Sequence, residues 1–392
     1  MSSAPDQALA PERALDASGR SFVAFARWTS ALLVMLSHLR GVMFVGWDSL
    51  PPAFHNLFIR AFYAATAFYH EAVVVFFVLS GFLIAGPNLD RVRIRSFAPK
   101  SYAVDRSTRI YVTAFPAMLL TLAADAIGRH LLPNAGFYDG TNRLMVERVT
   151  GGVQHDGVID LVRNLLMLQP VHAPMLGSNV PLWSLSYEVW FYVWFGVTAW
   201  ALQSKRSSAA LWISLATLGL LLFHWTAIFY LAIWCFGALA YQWSSWPRSL
   251  TLALIAVGLC LALSMVGKMA GGVPNVPLKW SDLPLGLAFA WLLALMKGRS
   301  YRTWNATEKL NQSLSNFSYS LYVIHYPLIM LFVSLFTTLG RLVEVKRGLV
   351  PNGAGMTTYL LAAAATALTA FLFSRVFEAR TGAARRWLKA RV

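Results

Sequence analysis

Charged side chains are scarce in this sequence. Asp, Glu, Lys and Arg make up 13% of its 392 residues, whereas soluble globular proteins average about 25%. The formal net charge is nevertheless +16. A nucleic-acid-binding protein gathers its Lys and Arg on a polar, soluble domain, but here they lie in short gaps between apolar runs. This distribution argues against a nucleic-acid partner and is typical of the anchors of a multi-pass membrane protein.

Cysteine is almost absent. Cys235 and Cys260 both lie in apolar runs, and they provide neither a disulfide framework nor a metal-ligand spacing, so we predict no metal site. The polar segment 1–20 lacks the basic start, short apolar core and cleavage site of a secretory signal. We expect it to be a disordered cytoplasmic segment. The sequence also has no internal repeat, low-complexity tract or second soluble domain.

Apolar runs, in contrast, are abundant. Hydrophobic residues make up 57% of the chain, and a helix of about 20 apolar residues can cross a bilayer. Each such run is interpreted as one membrane-spanning helix, with the run at 209–223 the shortest. The runs lie at 22–46, 66–86, 108–128, 182–202, 209–223, 225–243, 249–267, 281–297, 315–338 and 356–377.

The gaps between the runs indicate an orientation. With the N-terminus inside, most Lys and Arg residues fall in the inner gaps, as the positive-inside rule requires. The longest gap, 129–181, then lies outside, where it re-enters or caps the bundle. We therefore predict an all-α, polytopic integral membrane protein with about ten transmembrane helices and both termini cytoplasmic. Its parts are a membrane domain at 21–378 and a basic cytoplasmic tail at 379–392.

The first run carries Arg27 and His38 among apolar residues. Eleven residues are almost three helical turns, so the two side chains share a face, about 16 Å apart along the axis. Ionisable residues inside a membrane helix are costly and usually face a bundle interior or a wet cavity. A packing role explains a lone His, but the second ionisable group favours function. A His can take a proton from a hydroxyl as a general base, whereas Arg is a fixed cation suited to phosphate or carboxylate.

Two further stretches lie in and after the second run. Ser80 and Gly81 interrupt large apolar residues, which fits either close helix packing or the lining of a site. Glu71, near the outer end, fits an exposed site or a solvated helix start. In the next inner gap Arg106 and Arg109 are three residues apart and share a helix face. Such a pair is a suitable site for the phosphates of a cytosolic cofactor.

The fourth and ninth runs each contain a distinctive polar residue. Glu188 is the sole acid of its run, and a buried carboxylate needs a partner; the candidates are His38, an Arg or a substrate hydroxyl. His325 precedes Pro327, which kinks a helix and frees a backbone carbonyl. His325 then lines a cavity or packs against that carbonyl, and Tyr322 lies one turn before it.

Five stretches together resemble the membrane acyltransferase-3 family, the integral-membrane O-acyltransferases of cell-surface and secreted carbohydrates. They occur in the order that the family has and cover the chain from about residue 22 to 377. They are the Arg27–His38 pair, FFVLSGFLI at 76–84, RSTRIY at 106–111, PLWSLSYE at 181–188 and SYSLYVIHYP at 318–327. Many members have an acid just before the FFVLSGF run, where this chain has Val74; Glu71 lies one turn earlier.

The resemblance implies an acyl-CoA-dependent O-acyltransferase of the bacterial-type inner membrane, of the class that transfers groups other than aminoacyl groups. The donor substrate is then acyl-CoA, with acetyl-CoA and O-acetylation as the expectation, and no cofactor is bound permanently. The acceptor is a hydroxyl of a polysaccharide, glycolipid or oligosaccharide. The Arg27–His38 pair is expected to be essential, and Arg106 with Arg109 to bind the donor.

On this reading His38 is the general base or carries the acyl group transiently. Glu188 orients the imidazole or the acceptor, and Tyr322 or His325 polarises the carbonyl. Ser80 and Glu71 complete the list of site-lining candidates. The rival hypothesis is a secondary transporter or flippase, which also buries ionisable residues in the membrane. The cationic Arg106–Arg109 pair and the lack of an inverted repeat favour the enzyme.

Overall fold

A computed structural model describes residues 15–132, 136–139, 141, 155–204, 208–242, 247–269, 281–297, 299–340 and 348–391. Within these ranges the chain forms fourteen α-helices and no strand. The helices are α1 (Ala17–Met43), α2 (Leu57–Ala65), α3 (Tyr69–Arg93), α4 (Pro99–Leu131), α5 (Val158–Leu165), α6 (Leu182–Ser204), α7 (Ala209–Phe223), α8 (Ala227–Gln242), α9 (Leu250–Met269), α10 (Asp282–Met296), α11 (Arg302–Ser315), α12 (Ser318–Leu339), α13 (Gly353–Val376) and α14 (Thr381–Lys389).

Each of the ten apolar runs coincides with a helix, so the all-α prediction is confirmed for the described residues. Among the described residues, six helical stretches are long and apolar enough to cross a membrane. Helices α8 and α10 are shorter apolar helices, and so is α7 over Ala209–Leu220. The six are Ala17–Met43, Leu57–Arg93, Pro99–Leu131, Leu250–Lys268, Ser318–Leu339 and Gly353–Lys389. The chain is therefore a multi-pass membrane protein. The count of ten spans and the cytoplasmic side of the termini stay predictions.

Several boundaries differ from the apolar runs. Helix α1 begins at Ala17, so residues 17–20 are helical, and the part of the predicted disordered segment at 1–14 lies outside the described residues. Helix α4 begins at Pro99, which places Arg106 and Arg109 in its second and third turns and not at its start. The basic tail forms α14. These extensions are polar or amphipathic, so hydropathy alone does not indicate them.

The chain divides into two compact units, and of the five boundaries between them three fall within α1, α3 and α6, one at the start of α4 and one directly after α11. The first comprises Met1–Ser30, Val73–Pro99 and Val193–Ser315. In it the N-terminal half of α1 packs against the polar helix α11: Arg20 Nε donates to Glu308 Oε1 at 2.6 Å, and Trp28 Nε1 donates to Asn311 Oδ1 at 3.1 Å. Helix α9 exposes large apolar side chains along its length, as a helix that contacts lipid does.

A close helix crossing also lies in the first unit. A Cβ added at Gly81 of α3 would collide with the backbone carbonyl of Trp234 in α8, and one at Gly237 of α8 would collide with that of Val78. The indole Nε1 of Trp234 donates to Ser80 Oγ at 3.1 Å. The small residues therefore allow two backbones to approach closely, as expected for membrane helices.

The second unit comprises Ala31–Ala72, Lys100–Tyr192 and Asn316–Val392. Its central element is α12, in which every residue from Ser320 to Met330 is buried; a helix that is buried all round lies inside the bundle. Helix α13 packs along it. A parallel bridge between Phe44 and Leu349 joins the chain just after α1 to the segment before α13.

Residues 155–181, the longest described part of the long gap, pack against α4 in this unit. Asp125 of α4 is fully buried, and its carboxylate accepts hydrogen bonds from the backbone N and the Oγ of Ser178, at 2.8 and 2.6 Å. Gly177 has a φ of +50°, and a Cβ there would meet the Asp125 carboxylate. A buried carboxylate that accepts two hydrogen bonds is compensated, so Asp125 fixes the loop that leads into α6.

Candidate active site

Two histidines from distant parts of the sequence meet in the second unit. The Nδ1 of His38 in α1 lies 2.8 Å from the Nε2 of His325 in α12, and the two rings are nearly parallel with centroids 5.1 Å apart. His325 is fully buried, whereas His38 is half-buried. The rings of Tyr69 and Tyr326 also contact His38, at centroid distances of 5.2 and 5.3 Å.

The hydrogen bonds around the two rings determine their tautomers. His325 Nδ1 lies 2.8 Å from the carbonyl oxygen of Tyr322, and a carbonyl only accepts, so this nitrogen carries a proton. In the neutral imidazole Nε2 of His325 is then the acceptor, and His38 Nδ1 must donate to it. The same rule leaves Nε2 of His38 as its unprotonated nitrogen. His38 is thereby held in the tautomer that a general base requires.

The backbone of α12 is adapted at this point. Pro327 has no N–H, so the carbonyl of Val323 lacks its usual partner within the helix. The side chain of Asn179 supplies it: Nδ2 donates to Val323 O at 2.9 Å and also contacts Thr121 Oγ1 at 2.9 Å. His325 instead bonds the carbonyl of Tyr322. The prediction of a freed carbonyl is thus confirmed, but its partner is Asn179 and not His325.

Tyr322 lies one turn before His325 and joins α12 to the start of α6. Its hydroxyl lies 2.5 Å from Ser184 Oγ and 3.2 Å from the carbonyl oxygen of Pro181, to which it donates. Because this hydroxyl already has two partners, Tyr322 fixes the beginning of α6 against α12. Its predicted part in polarising a carbonyl stays a prediction.

Glu188, two turns into α6, has a tyrosine as its partner. The hydroxyl of Tyr192 donates to Glu188 Oε1 at 2.5 Å, a short, charge-assisted hydrogen bond. The guanidinium of Arg106 lies 5.9 Å from the ring centroids of both Tyr192 and Tyr102. Glu188 and Arg106 therefore flank the same tyrosine, and the carboxylate lies near enough to Tyr322 to interact with it electrostatically.

Arg109 has a different environment from Arg106. Its Nη1 donates to Glu378 Oε1 at 3.1 Å, and its guanidinium lies 4.9 Å from the ring centroid of Tyr319. The other oxygen of Glu378 accepts from the backbone N and the Oγ of Ser320, at 3.0 and 2.8 Å. The Arg pair thus does not share one partner: Arg109 links α4 to the end of α13 and the start of α12.

These contacts form one polar stripe along α12. Tyr319, Tyr322 and His325 are spaced three residues apart, which places them on one helix face. From Tyr319 to His325 the stripe spans about 9 Å of helix axis. Arg109 contacts it at one end and His38 at the other, with Glu188 interacting with both tyrosines in between. Within a bundle of apolar helices, this row of acidic, basic and imidazole groups can handle a charged substrate and move a proton.

Comparison with known proteins agrees with this chemistry. The family model of the acyltransferase domain of the acyltransferase-3 type matches residues 20–375. The chain belongs to this family. The resemblance read from the five motifs is therefore confirmed, and the chain is a multi-pass membrane protein of the acyltransferase-3 family. The polar stripe of α12 lies within the matched residues.

One curated relative extends the comparison. Acyltransferase MdmB of Streptomyces mycarofaciens is 27% identical to this chain over 173 residues, which is 43% of the present chain and 36% of that protein. The chain thus spans about a third of that relative's length. No solved structure matches the chain.

The remaining predicted site residues lie outside the stripe, and two of them belong to the first unit. Helix α1 is continuous, so Arg27 and His38 have the helical spacing that was predicted, but Arg27 belongs to the first unit. Ser80 also lies there, at the crossing of α3 and α8. Glu71 in the first turn of α3 is 2% exposed, so the interpretation as a solvated helix start is wrong; it follows Tyr69, which contacts His38.

Three residues of the second unit were missed by sequence reasoning. Glu378 is the only acid in residues 348–392, and Asp125 is the only acid in the run 108–128. Each was therefore visible as an isolated carboxylate in an apolar or basic setting. Tyr192 lies four residues after Glu188, the spacing at which helix side chains meet. None of these signals identifies the partner, because the partner comes from a distant part of the chain.

Proposed function

We propose that the protein transfers an acyl group, with acetyl as the expected group, from acyl-CoA to a hydroxyl of a cell-surface or exported carbohydrate, in a bacterial-type inner membrane. His38 is the general base. The observation that carries the proposal is the hydrogen-bond series from Tyr322 O through His325 to His38, because it leaves Nε2 of His38 as the nitrogen that can accept a proton.

The reaction requires one proton to be moved. Nε2 of His38 takes the proton of the acceptor hydroxyl as its oxygen attacks the thioester carbonyl. The C–S bond then breaks, the ester forms, and the leaving thiolate takes the proton from His38 to give free CoA. The imidazolium formed in between is stabilised because His38 Nδ1–H donates to the buried His325, whose own N–H donates to Tyr322 O. His325 is thus a positioning residue.

The other polar groups of the stripe have separate parts in this scheme. Arg106 and Arg109 lie toward one end of it; Arg106 provides positive charge for the phosphates of acyl-CoA, and Arg109, which is paired with Glu378, supports it there. Glu188, fixed by Tyr192, orients the acceptor by accepting a hydrogen bond from one of its hydroxyls. The family pattern implies that Arg27 is essential, and Ser80, Glu71 and Tyr322 remain the predicted lining residues.

The test uses purified protein in lipid nanodiscs with acetyl-CoA and a panel of oligosaccharide acceptors, and it measures free CoA. Wild type should release CoA only with an acceptor present. His38→Ala should reduce the rate by about 10²- to 10⁴-fold, the usual contribution of a general base, without loss of expression or thermal stability. Retained activity in His38→Ala contradicts the assignment. Absence of release with every donor and acceptor favours the transporter hypothesis.

A second experiment distinguishes the two possible roles of His38. If His38 carried the acyl group itself, brief incubation with radiolabelled acetyl-CoA and no acceptor would label the protein. We expect no label on wild type that is absent from His38→Ala, because a general base forms no covalent bond with the acyl group. Label that depends on His38 would replace the general-base scheme by a two-step one.

A further inference from the structure

A second group of cations lies beside Arg106, contributed by the C-terminal helix. Both Arg385 and Lys389 of α14 approach Asp105 of α4: Arg385 Nε lies 3.3 Å and Lys389 Nζ 2.9 Å from Asp105 Oδ1. Arg385 also lies close enough to Arg106 and Arg109 for their charges to repel it. Helix α14 therefore brings two cations to the turn of α4 that carries the predicted donor-binding pair.

Positive charge is in excess in this cluster. Among the described residues, the cluster contains four cations, Arg106, Arg109, Arg385 and Lys389, and two carboxylates, Asp105 and Glu378. Arg109 is neutralised by Glu378. Arg385 and Lys389 share Asp105, and Arg106 lies close to Arg385. Cations held together at partial burial repel each other more strongly than in water. An additional anion would relieve this repulsion.

The depth of the groups indicates where that anion binds. The side chain of Asp105 is 15% exposed, whereas those of Lys389 and Arg385 are 27% and 35% exposed. The carboxylate thus lies beneath the cations and orients them, and an incoming anion meets the cations first. In addition, the buried Nε of Arg106 has no hydrogen-bond partner among the described residues, so this donor remains to be satisfied.

We infer that Arg385 and Lys389 of α14, together with Arg106, form a phosphate-binding site for the nucleotide part of the acyl donor. This inference rests on the proposed function, since it assumes a phosphorylated donor. It adds to that function a contribution from the C-terminal helix, which the sequence indicated only as a basic tail. Guanidinium and ammonium groups from two helices supply the several charge-assisted hydrogen bonds that a phosphate accepts.

The experiment measures binding by isothermal titration calorimetry in nanodiscs of phosphatidylcholine, a lipid without net charge. The probes are CoA and S-acetylpantetheine, which retains the thioester arm but has no nucleotide. Arg385→Gln/Lys389→Gln should weaken CoA binding by about tenfold or more, since charge-assisted bonds to phosphate are lost, and leave S-acetylpantetheine unchanged. The matched control is Arg386→Gln/Arg391→Gln, which removes two exposed cations of the same region and should leave both affinities unchanged.

Each other outcome overturns the inference in a recognisable way. Unchanged CoA affinity in the Arg385→Gln/Lys389→Gln variant refutes the site but leaves the proposed function intact. Failure of wild type to bind CoA refutes both. An effect seen only in nanodiscs that contain anionic lipid assigns the cations to lipid headgroups. If the double variant does not fold, Lys389→Gln alone provides the comparison, because Arg385 keeps its ion pair with Asp105.

Discussion

Nδ1 of His38 and Nε2 of His325 are hydrogen-bonded at 2.8 Å although the residues are 287 positions apart in the sequence. His325 is fully buried and bonds the backbone of its own helix, so it cannot rotate without losing that bond. His38 is the more exposed of the two. The arrangement gives the half-buried imidazole of His38 a fixed tautomer and a fixed ring orientation, because the buried imidazole of His325 holds it in place.

This role of His325 predicts a contrast between two conservative substitutions. The amide of Gln extends about as far as Nε2 of His, so its oxygen in His325→Gln can still accept the hydrogen bond from His38 Nδ1. The shorter Asn cannot reach it. We expect His325→Gln to keep most of the activity, and His325→Asn and His325→Ala to lower kcat about 100-fold with little change in KM for acetyl-CoA.

Steady-state kinetics in nanodiscs and thermal unfolding of the same samples provide the measurement. Equal losses in the Gln, Asn and Ala variants, in proportion to lost thermal stability, would show that His325 only packs. A rise in KM with unchanged kcat would instead place His325 in substrate binding.

The bond between Tyr192 and Glu188 predicts energetic coupling. The hydroxyl of Tyr192 donates to Glu188 at 2.5 Å, so Tyr192→Phe leaves the carboxylate without this donor. We expect Tyr192→Phe and Glu188→Gln each to lower kcat/KM, and the double variant to be no worse than Glu188→Gln. The coupling should be about 1–2 kcal/mol, as for a hydrogen bond to a charged group.

A double-mutant cycle on kcat/KM measures this coupling. Tyr63→Phe is the matched control, since its hydroxyl donates instead to the backbone of Val45 and its effect should add to that of Glu188→Gln. If the effects of Tyr192→Phe and Glu188→Gln on kcat/KM were also additive, the hydrogen bond between these two side chains would have no influence on catalysis.

The helices were predictable because hydropathy is a local property. Each apolar run of about 20 residues has one low-energy solution in a bilayer, in which all backbone groups are hydrogen-bonded within the helix. Helices α11 and α14 were missed for the opposite reason. They are polar, and distant partners stabilise them: Glu308 of α11 pairs with Arg20, and Lys389 of α14 with Asp105.

In the candidate site, too, the contacts between distant parts of the chain could not be predicted from the sequence. His38, Glu188, Arg109 and His325 were visible as ionisable residues in or beside apolar runs, because their desolvation cost is high. Their partners were not visible. The sequence indicates His38, an Arg or a substrate as partners of Glu188, but it does not indicate Tyr192. It indicates a phosphate for Arg109, but not the ion pair with Glu378. Pairing depends on how the helices pack, which the pattern of one run does not contain.

The ion pair of Arg109 and Glu378 predicts that Arg109 contributes more to stability than Arg106 does. Glu378 is 7% exposed in its side chain, so Arg109→Gln leaves a buried carboxylate without its cation. We expect a loss of about 3 kcal/mol in the free energy of unfolding. Removing both charges in Arg109→Gln/Glu378→Gln should recover part of it, because no unpaired charge then remains buried.

Thermal unfolding in detergent gives the comparison. Arg129→Gln is the control, since the pair of Arg129 with Asp156 is 37% and 36% exposed and should contribute about 1 kcal/mol or less. If Arg109→Gln were as stable as Arg129→Gln but bound CoA far more weakly, the original assignment of Arg109 to the donor would hold and the structural role would not.

The contact between Asn179 and the helix kink predicts a suppressor. Asn179→Ala leaves the carbonyl of Val323 buried without its donor, which should cost about 1–3 kcal/mol. Pro327→Ala restores the N–H that normally bonds this carbonyl. The double variant should therefore be more stable than Asn179→Ala alone, although a second residue has been changed. Pro116→Ala, which removes the internal proline of α4, is the matched control and should give no rescue.

If neither proline variant rescues Asn179→Ala, the effect of Asn179 comes from its bond to Thr121 and not from the kink. If Pro327→Ala restores the stability of Asn179→Ala but not its activity, the kink itself positions His325 for catalysis.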